Sequence, residues 1–427
     1  MRKLKRFGAL LGLAAIFGVV GCGKGATSPG TGLSGQAIAQ DKTTFASMAQ
    51  GSRQVVRITV KSLAEVNDLA GRGLDLFENV NLPRGYVDAT VTAKDEALLR
   101  KLGYRYSILK STAQTFQAMG AMPAGYHTVA ALKADFQNLA ADNPAIAAYK
   151  TIGKSVNGQD VFALRITARP NGNLPQILFD SGQHARELPP VEINFRLAHH
   201  LVENYGKDTE VTRLVNSRDI WIVPVVNPDG RQNVENGDSW WRKNMRKLSM
   251  GARGVDTNRN SDDHWEKGNG MPWADDYHGP SPASEPETQA MRDLVAASKF
   301  TVSVDIHNYG GMVLWPPGFD NSSTKDEATF SNLGHKMADK LGYSAGTIAR
   351  TIYRTYGDFS TWQYQKHGII AFGVELDDPG FNAPYSSVEK DWNAWKDNFL
   401  WLISVSDDPR KHAAQMGEPM SLVGFNF

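Results

Sequence analysis

The sequence predicts an α/β fold: a mixed, mainly parallel sheet flanked by helices, preceded by a small α/β unit. Three observations carry this reading. Strand-like apolar runs at 176–180, 220–226, 301–306 and 369–376 alternate with helical runs at 190–205, 285–298, 325–341 and 387–404. Such alternation implies a central sheet covered by helices. A second, shorter alternation lies upstream: strand 55–60, helix 63–71, strand 86–91, helix 95–102 and strand 104–109. The 427 residues are 41% hydrophobic and 21% charged, which is ordinary globular composition and enough for a large core.

Taken in order, residues 1–22 read as an export signal. Arg2, Lys3, Lys5 and Arg6 precede a mostly apolar run, 7–20, too short for a comfortable transmembrane helix. The run Val19-Val20-Gly21-Cys22 looks like a bacterial lipobox, in which cleavage leaves Cys22 as a lipid-modified N-terminus. The expected product is exported from a bacterial cell and lipid-anchored in the envelope through Cys22, its membrane contact limited to that anchor. An ordinary signal peptide and a secreted product are the alternative. Residues 23–50 begin as a Gly/Ser/Thr/Ala-rich stretch and read as a tether. The small unit spans 54–110, a polar connection 111–125, the large domain 126–406 and a tail 407–427.

Composition and motifs exclude several functions. The 46 Lys+Arg against 45 Asp+Glu give a net charge of +1, so the chain is no nucleic-acid binder relying on bulk charge. Cys22 is the single cysteine, which rules out an intramolecular disulfide and Cys-rich zinc modules. Any metal must be held by His, Asp or Glu. Gly153-Lys154-Ser155 echoes a phosphate loop, but Ala148 stands where its first glycine belongs and Asn157-Gly158 reads as a turn between strands, so no nucleotide site is expected. There is no H-E-x-x-H, and His200-x-x-Glu203 beside His199 reads as solvated helix surface.

His184-Ala185-Arg186-Glu187 differs because it follows the strand 176–180 and precedes a helix. It therefore lies at the carboxyl edge of the sheet, where open α/β sheets bind ligands. An imidazole and a carboxylate three residues apart can converge on one Zn²⁺ and leave two positions to fill. From here the sequence resembles the zinc carboxypeptidase family, the carboxypeptidase A and B type, in a bacterial secreted form of the carboxypeptidase T kind. Residues 182–187 look like its first zinc motif, and 223–230, 241–243 and 254–260 resemble the segments that follow. Asp305-Ile306-His307-Asn308-Tyr309, Thr351-Ile352-Tyr353, Trp362 and 372–376 complete the similarity, which covers about 126–406.

The resemblance implies one Zn²⁺ per catalytic domain, held by His184, Glu187 and His307 with the fourth position open. Glu375, ending a strand, is the expected general base; a stray strand carboxylate is the alternative, although a charge in so apolar a strand needs a partner. By resemblance Arg242 stabilises the oxyanion, Asn258 and Arg259 hold the terminal carboxylate, Tyr353 closes over the terminal residue, and Arg186 and Tyr309 contact the substrate further along. Arg259 in a plain salt bridge is the bland alternative. The pocket for the terminal side chain is expected from Gly318, Ile348, Ile352, Thr355, Ser360 and Gly373. Its neutral Ser360 favours aromatic or large aliphatic residues, while Asp358 nearby would favour basic ones. The small unit is similar in pattern to the family's pro-segments, and it either inhibits or assists the enzyme or remains as a docking spacer. The expected activity is removal of single amino acids from peptide or protein C-termini. Cell-wall peptides are a competing substrate, and a non-enzymatic envelope binding protein is the reading from another class.

Overall fold

The computed structural model describes residues 53–109 and 122–417. Cys22, the signal, the tether and residues 111–121 of the 111–125 connection lie outside the described residues. Within these, no helix is long and apolar enough to cross a membrane.

The small unit has four strands, β1 (Gln54–Thr59), β2 (Asp75–Leu76), β3 (Tyr86–Val91) and β4 (Tyr106–Ile108), in the antiparallel order β2-β3-β1-β4. Its helices start where the sequence caps them. Ser62 accepts from the Glu65 amide ahead of Leu63–Gly71, and Thr92 and Asp95 form a reciprocal capping box ahead of Ala93–Leu102. Sequence periodicity finds every element but β2 and the short 3-10 turn Leu82–Arg84, whose two and three residues are too few to show a period.

The large sheet contains β5 (Ala147–Lys154), β6 (Asp160–Ile166), β7 (Gln176–Ser181), β8 (Asp219–Val223), β9 (Phe300–Asn308), β10 (Met312–Trp315), β11 (Ser344–Thr347) and β12 (Ile370–Leu376). Their order is β11-β10-β12-β9-β7-β8-β6-β5. The middle four, β12-β9-β7-β8, are mutually parallel, while β6 and β10 run antiparallel beside them, so the sheet is mixed. The Asn157-Gly158 turn joins β5 to β6, with Gly158 at φ +85.

Strand periodicity decides what each face carries. On one face Ile177, Phe179, Val302, Val304, Ile306, Phe372, Val374 and Leu376 join the main core under the helices Pro189–Glu203 and Ser386–Val405. The alternate residues, among them Asp180, Asp305, His307, Gly373 and Glu375, share the other face. The register places Glu375 beside His307, Gly373 beside Asp305 and Asp180 beside Asp305. A row of polar groups thus runs across the carboxyl edge of a sheet that is otherwise apolar.

The small unit packs onto this edge. Val56, Ile58, Val66, Leu69 and Val87 form one buried cluster with Met312, Leu314, Ile348, Ile352 and Tyr353 of the large domain. At the other end, Pro409–Gln415, expected as part of a tail, forms a helix whose Ala413 carbonyl accepts from Asn332 and whose Arg410 pairs with Asp326.

Candidate active site

The loop after β7 carries His184 and Glu187 over the sheet edge. Gly182 makes the turn at φ +68, and a Cβ there would lie 3.2 Å from Val225 Cα. His184 Nδ1 stands 2.7 Å from Glu187 Oε1, and His307 Nδ1 stands 2.8 Å from Glu187 Oε2. The three donor atoms lie within 4.8 Å of one another, on buried side chains. Burial alone would raise the Glu187 carboxyl, but His184 and His307 hold it well below the usual carboxylate range. Two imidazoles and a carboxylate converging in this way are the donor set of a three-ligand catalytic zinc site.

The outer nitrogens support the same fit. His184 Nε2 faces Asp256 Oδ1 at 3.4 Å, and His307 Nε2 faces Asp305 Oδ2 at 2.8 Å. Each ring has a carboxylate near its outer nitrogen and its Nδ1 turned to Glu187, the side from which a metal would be held. Sequence reading did not assign roles to these two aspartates. Asp256 also accepts from Arg242 Nε (3.0 Å) and the Asn258 amide (2.9 Å), so one carboxylate orients three predicted site residues. Asp305 accepts from Gln183 Nε2 at 2.6 Å, and burial beside Asp305 pushes the Asp180 carboxyl up.

Glu375 shares a cavity with this cluster. Its Oε2 is buried with no hydrogen-bond partner among the described residues, and burial, then the neighbouring Glu78, push its carboxyl well above the usual range. Asn258 Nδ2 lies 3.1 Å from His307 Nε2, while its Oδ1 accepts from the Phe359 amide. Arg259 donates to the Asn258 carbonyl at 2.8 Å instead of pairing with a carboxylate, and it faces the same cavity.

Ile348, Ile352, Thr355, Asp358, Ser360 and Gly373 line the cavity beyond Asn258, together with Leu314, which sequence reading missed. Gly318 packs against two of these residues. A Cβ there would sit 2.1 Å from Thr355 Oγ1 and 2.5 Å from Asp358 Oδ2, so the close approach of these side chains requires a glycine. Asp358 caps the helix Phe359–His367 through the Thr361 amide (2.9 Å) and accepts from Thr355 Oγ1 (2.8 Å).

The remaining predicted contacts are met by the small unit. Arg186, itself fully buried, makes a two-point salt bridge to the part-buried Asp75, at 2.6 and 2.8 Å. Phe77 packs edge-on against Tyr309 and Phe381, with ring centroids 5.6 and 5.0 Å away. Tyr353 donates its hydroxyl to Glu78 Oε1 at 3.2 Å, and Arg242 Nη1 lies 4.0 Å from the same oxygen. Nothing in the local pattern of 75–78 could reveal this, because every partner lies more than a hundred residues away.

Comparison with known proteins agrees with the geometry. The zinc carboxypeptidase family profile matches residues 132–398. Rat carboxypeptidase A2 is 29% identical over 297 residues, covering 67% of this chain and 71% of that protein. Bovine carboxypeptidase B is 27% identical over 334 residues, covering 72% and 80%. The crystal structure of carboxypeptidase A from Helicoverpa armigera shares the fold, with a TM-score of 0.74 at 23% identity, covering 86% of this chain and 99% of the other. With the profile spanning well over half of the sequence and a His-Glu-His donor set at its sheet edge, the chain belongs to the zinc carboxypeptidase family.

Proposed function

We propose that this protein hydrolyses the C-terminal peptide bond of peptides and proteins and releases single amino acids. The observation that carries the reading is the register of β12 on β9, which sets Glu375 beside His307, next to Asn258 and Arg259. His184, Glu187 and His307 would hold zinc, which would supply Lewis acidity at the scissile bond. The chain does the rest. Arg259, with a guanidinium suited to two parallel hydrogen bonds, and Asn258 hold the free terminal carboxylate. Arg242, oriented by Asp256, donates to the carbonyl oxygen as it gains charge. Glu375 accepts the attacking water's proton at its partner-free oxygen and returns it to the leaving amine. Tyr353 closes over the terminal residue, and Arg186 and Tyr309 hold the chain upstream.

The terminal side chain enters the pocket of Leu314, Ile348, Ile352, Ser360 and Gly373. Both Asp358 oxygens are already engaged by Thr361 and Thr355, which favours a helix cap over a free counter-charge. Aromatic or large aliphatic residues are therefore the proposed preference, their burial contributing roughly 1.5–3 kcal/mol. Basic residues are the second reading, because Asp358 still lines the cavity.

The unit 54–110 acts in this reading as a pro-domain. Asp75, Phe77 and Glu78 stand on the ground a peptide needs, and cleavage within 111–125 releases activity. Export and lipidation at Cys22 complete the proposal, with secretion as the alternative. The test is a peptide library digested by purified protein before and after limited proteolysis, with and without a chelator. Loss of single C-terminal residues, dependent on metal and stronger after proteolysis, is expected. Equal activity of both forms from time zero would favour a docking role for the small unit.

A further inference from the structure

We infer that Asn244 is a positioning residue for the oxyanion arginine: anchored on the buried Glu285 and Glu287, its side chain clasps the two chain segments that carry Arg242 and Asp256. The inference rests on the carboxypeptidase reading above and deepens it, because it names a clamp outside the reaction cavity on which turnover depends.

Arg242 and Asp256 belong to no strand of the large sheet. Their segments meet as a short antiparallel pair, in which the Asn244 amide donates to the Val255 carbonyl (2.9 Å), the Gly254 amide to the Arg246 carbonyl (2.8 Å), and Lys247 bridges to Arg253. A Cβ on Gly254, at φ +79, would lie 2.6 Å from the Asn244 carbonyl oxygen, so the two segments are in close contact. Asn244 ties the pair from its centre. Its Oδ1 accepts from the Val255 amide (2.9 Å) and the Arg246 amide (3.2 Å), and its Nδ2 donates to Glu285 Oε2 (2.7 Å) and Glu287 Oε2 (3.1 Å). Both acceptor positions and both N–H groups of this fully buried amide are therefore in use. Val255 immediately precedes Asp256, and Arg242 stands two residues before Asn244, so the amide fixes the frame in which Arg242 Nε meets Asp256 at 3.0 Å. The Arg242 carbonyl in turn accepts from the Ala185 amide at 2.9 Å, next to His184.

The anchor is itself held. Glu285 accepts from Arg246 Nε at 2.6 and 2.7 Å and from Ser284 Oγ at 2.6 Å, and Glu287 Oε1 accepts from the Val156 amide of the β5–β6 turn at 2.9 Å. Two buried carboxylates facing one amide are costly when both are charged. Burial, with the Glu285 charge adding to it, pushes the Glu287 carboxyl up to about 7. Arg246 pairs with Glu285, which Tyr277 also faces, and Asp229 stands across the turn, where it accepts from the Asn157 amide. As pH climbs through the Glu287 value, that carboxyl loses its proton and sets a second charge beside Glu285, and the clasp on Asn244 loosens.

The test separates kcat from KM. Zinc-loaded protein cleaved within 111–125, as wild type, Asn244→Ala and Glu287→Gln, is assayed for hydrolysis of N-benzoylglycyl-L-phenylalanine between about pH 6 and pH 9. Thermal unfolding and zinc content establish that the variants are folded and loaded. At about pH 6, Asn244→Ala should lower kcat by roughly tenfold or more and leave KM within about twofold, because Arg242 serves the transition state while Asn258 and Arg259 still hold the terminal carboxylate. Above about pH 7, wild type should lose kcat more steeply than Glu287→Gln, which cannot take up the second charge. An undiminished kcat in folded, loaded Asn244→Ala, or a loss confined to KM, overturns the inference. If Asn244→Ala does not fold, the pH profiles decide, and a Glu287→Gln profile that matches wild type overturns it. Absence of hydrolysis by cleaved wild type would overturn the carboxypeptidase reading and this inference with it.

Discussion

Replacing Asp256 with asparagine removes one negative charge from the point where three parts of the site meet. Its Oδ1 faces His184 Nε2 at 3.4 Å and accepts from the Asn258 amide at 2.9 Å, while its Oδ2 accepts from Arg242 Nε at 3.0 Å. Burial would raise this carboxyl, yet Arg242 and His184 hold it well below the usual range, so it is an anion in the folded protein. Asparagine offers a single acceptor oxygen, and its NH₂ must point at another donor whichever way it turns. Losing a hydrogen bond to a charged group costs about 1.5–3 kcal/mol. Loss of a carboxylate behind a ligating histidine typically weakens metal binding by about 10–100-fold. Asp256→Asn should therefore weaken zinc by about that factor, measured by competition with a chromophoric chelator. It should also lower turnover after the small unit is released, because Arg242 loses its orientation. Unchanged zinc affinity with undiminished turnover would show that Asp256 does not hold the ligand or the arginine in place.

Three further outcomes are expected. Arg259→Ala should weaken binding of free-acid peptides far more than of amidated ones, because the guanidinium reads the terminal charge; equal losses on both would make Arg259 structural. Peptides ending in Phe should be cleaved in preference to those ending in Arg, and a preference for Arg that disappears in Asp358→Asn would reverse the specificity assignment. Asp378 and Asp391 face each other in the interior, where burial and then the Asp391 charge push the Asp378 carboxyl up to about 8. A carboxyl raised above its unfolded value, about 3.9, contributes stability that is present below that pH and lost as pH climbs towards the folded value. Thermal stability should fall between about pH 5 and pH 8, and Asp391→Asn should flatten that slope by on the order of a few kcal/mol. An unaltered slope would show that the pair is not the source.

The metal cluster was legible because its parts sit in local patterns. His184 and Glu187 follow one apolar strand and His307 ends another, so a sheet-edge argument reaches them, and parallel register does the rest. The short strands β10 and β11, four residues each, carry too little pattern to be seen. The second layer was less legible for another reason. Asp256 and Asp305 are ordinary acids in sequence and become positioning groups only when the fold turns them towards His184 and His307. Asp75 and Glu78 were invisible for the strongest reason, since their meaning lies wholly in partners on another unit.

The central claim is tested most directly by following a free-acid peptide by mass spectrometry during incubation with protein cleaved within 111–125. The account predicts a ladder of single-residue losses from the C-terminus that stops with a chelator and resumes with zinc. It further predicts that in Glu375→Gln, which keeps the shape and the metal ligands, the ladder slows by roughly 10²–10⁴-fold. Cleavage at internal bonds, or a ladder that persists at the wild-type rate in Glu375→Gln, would contradict it.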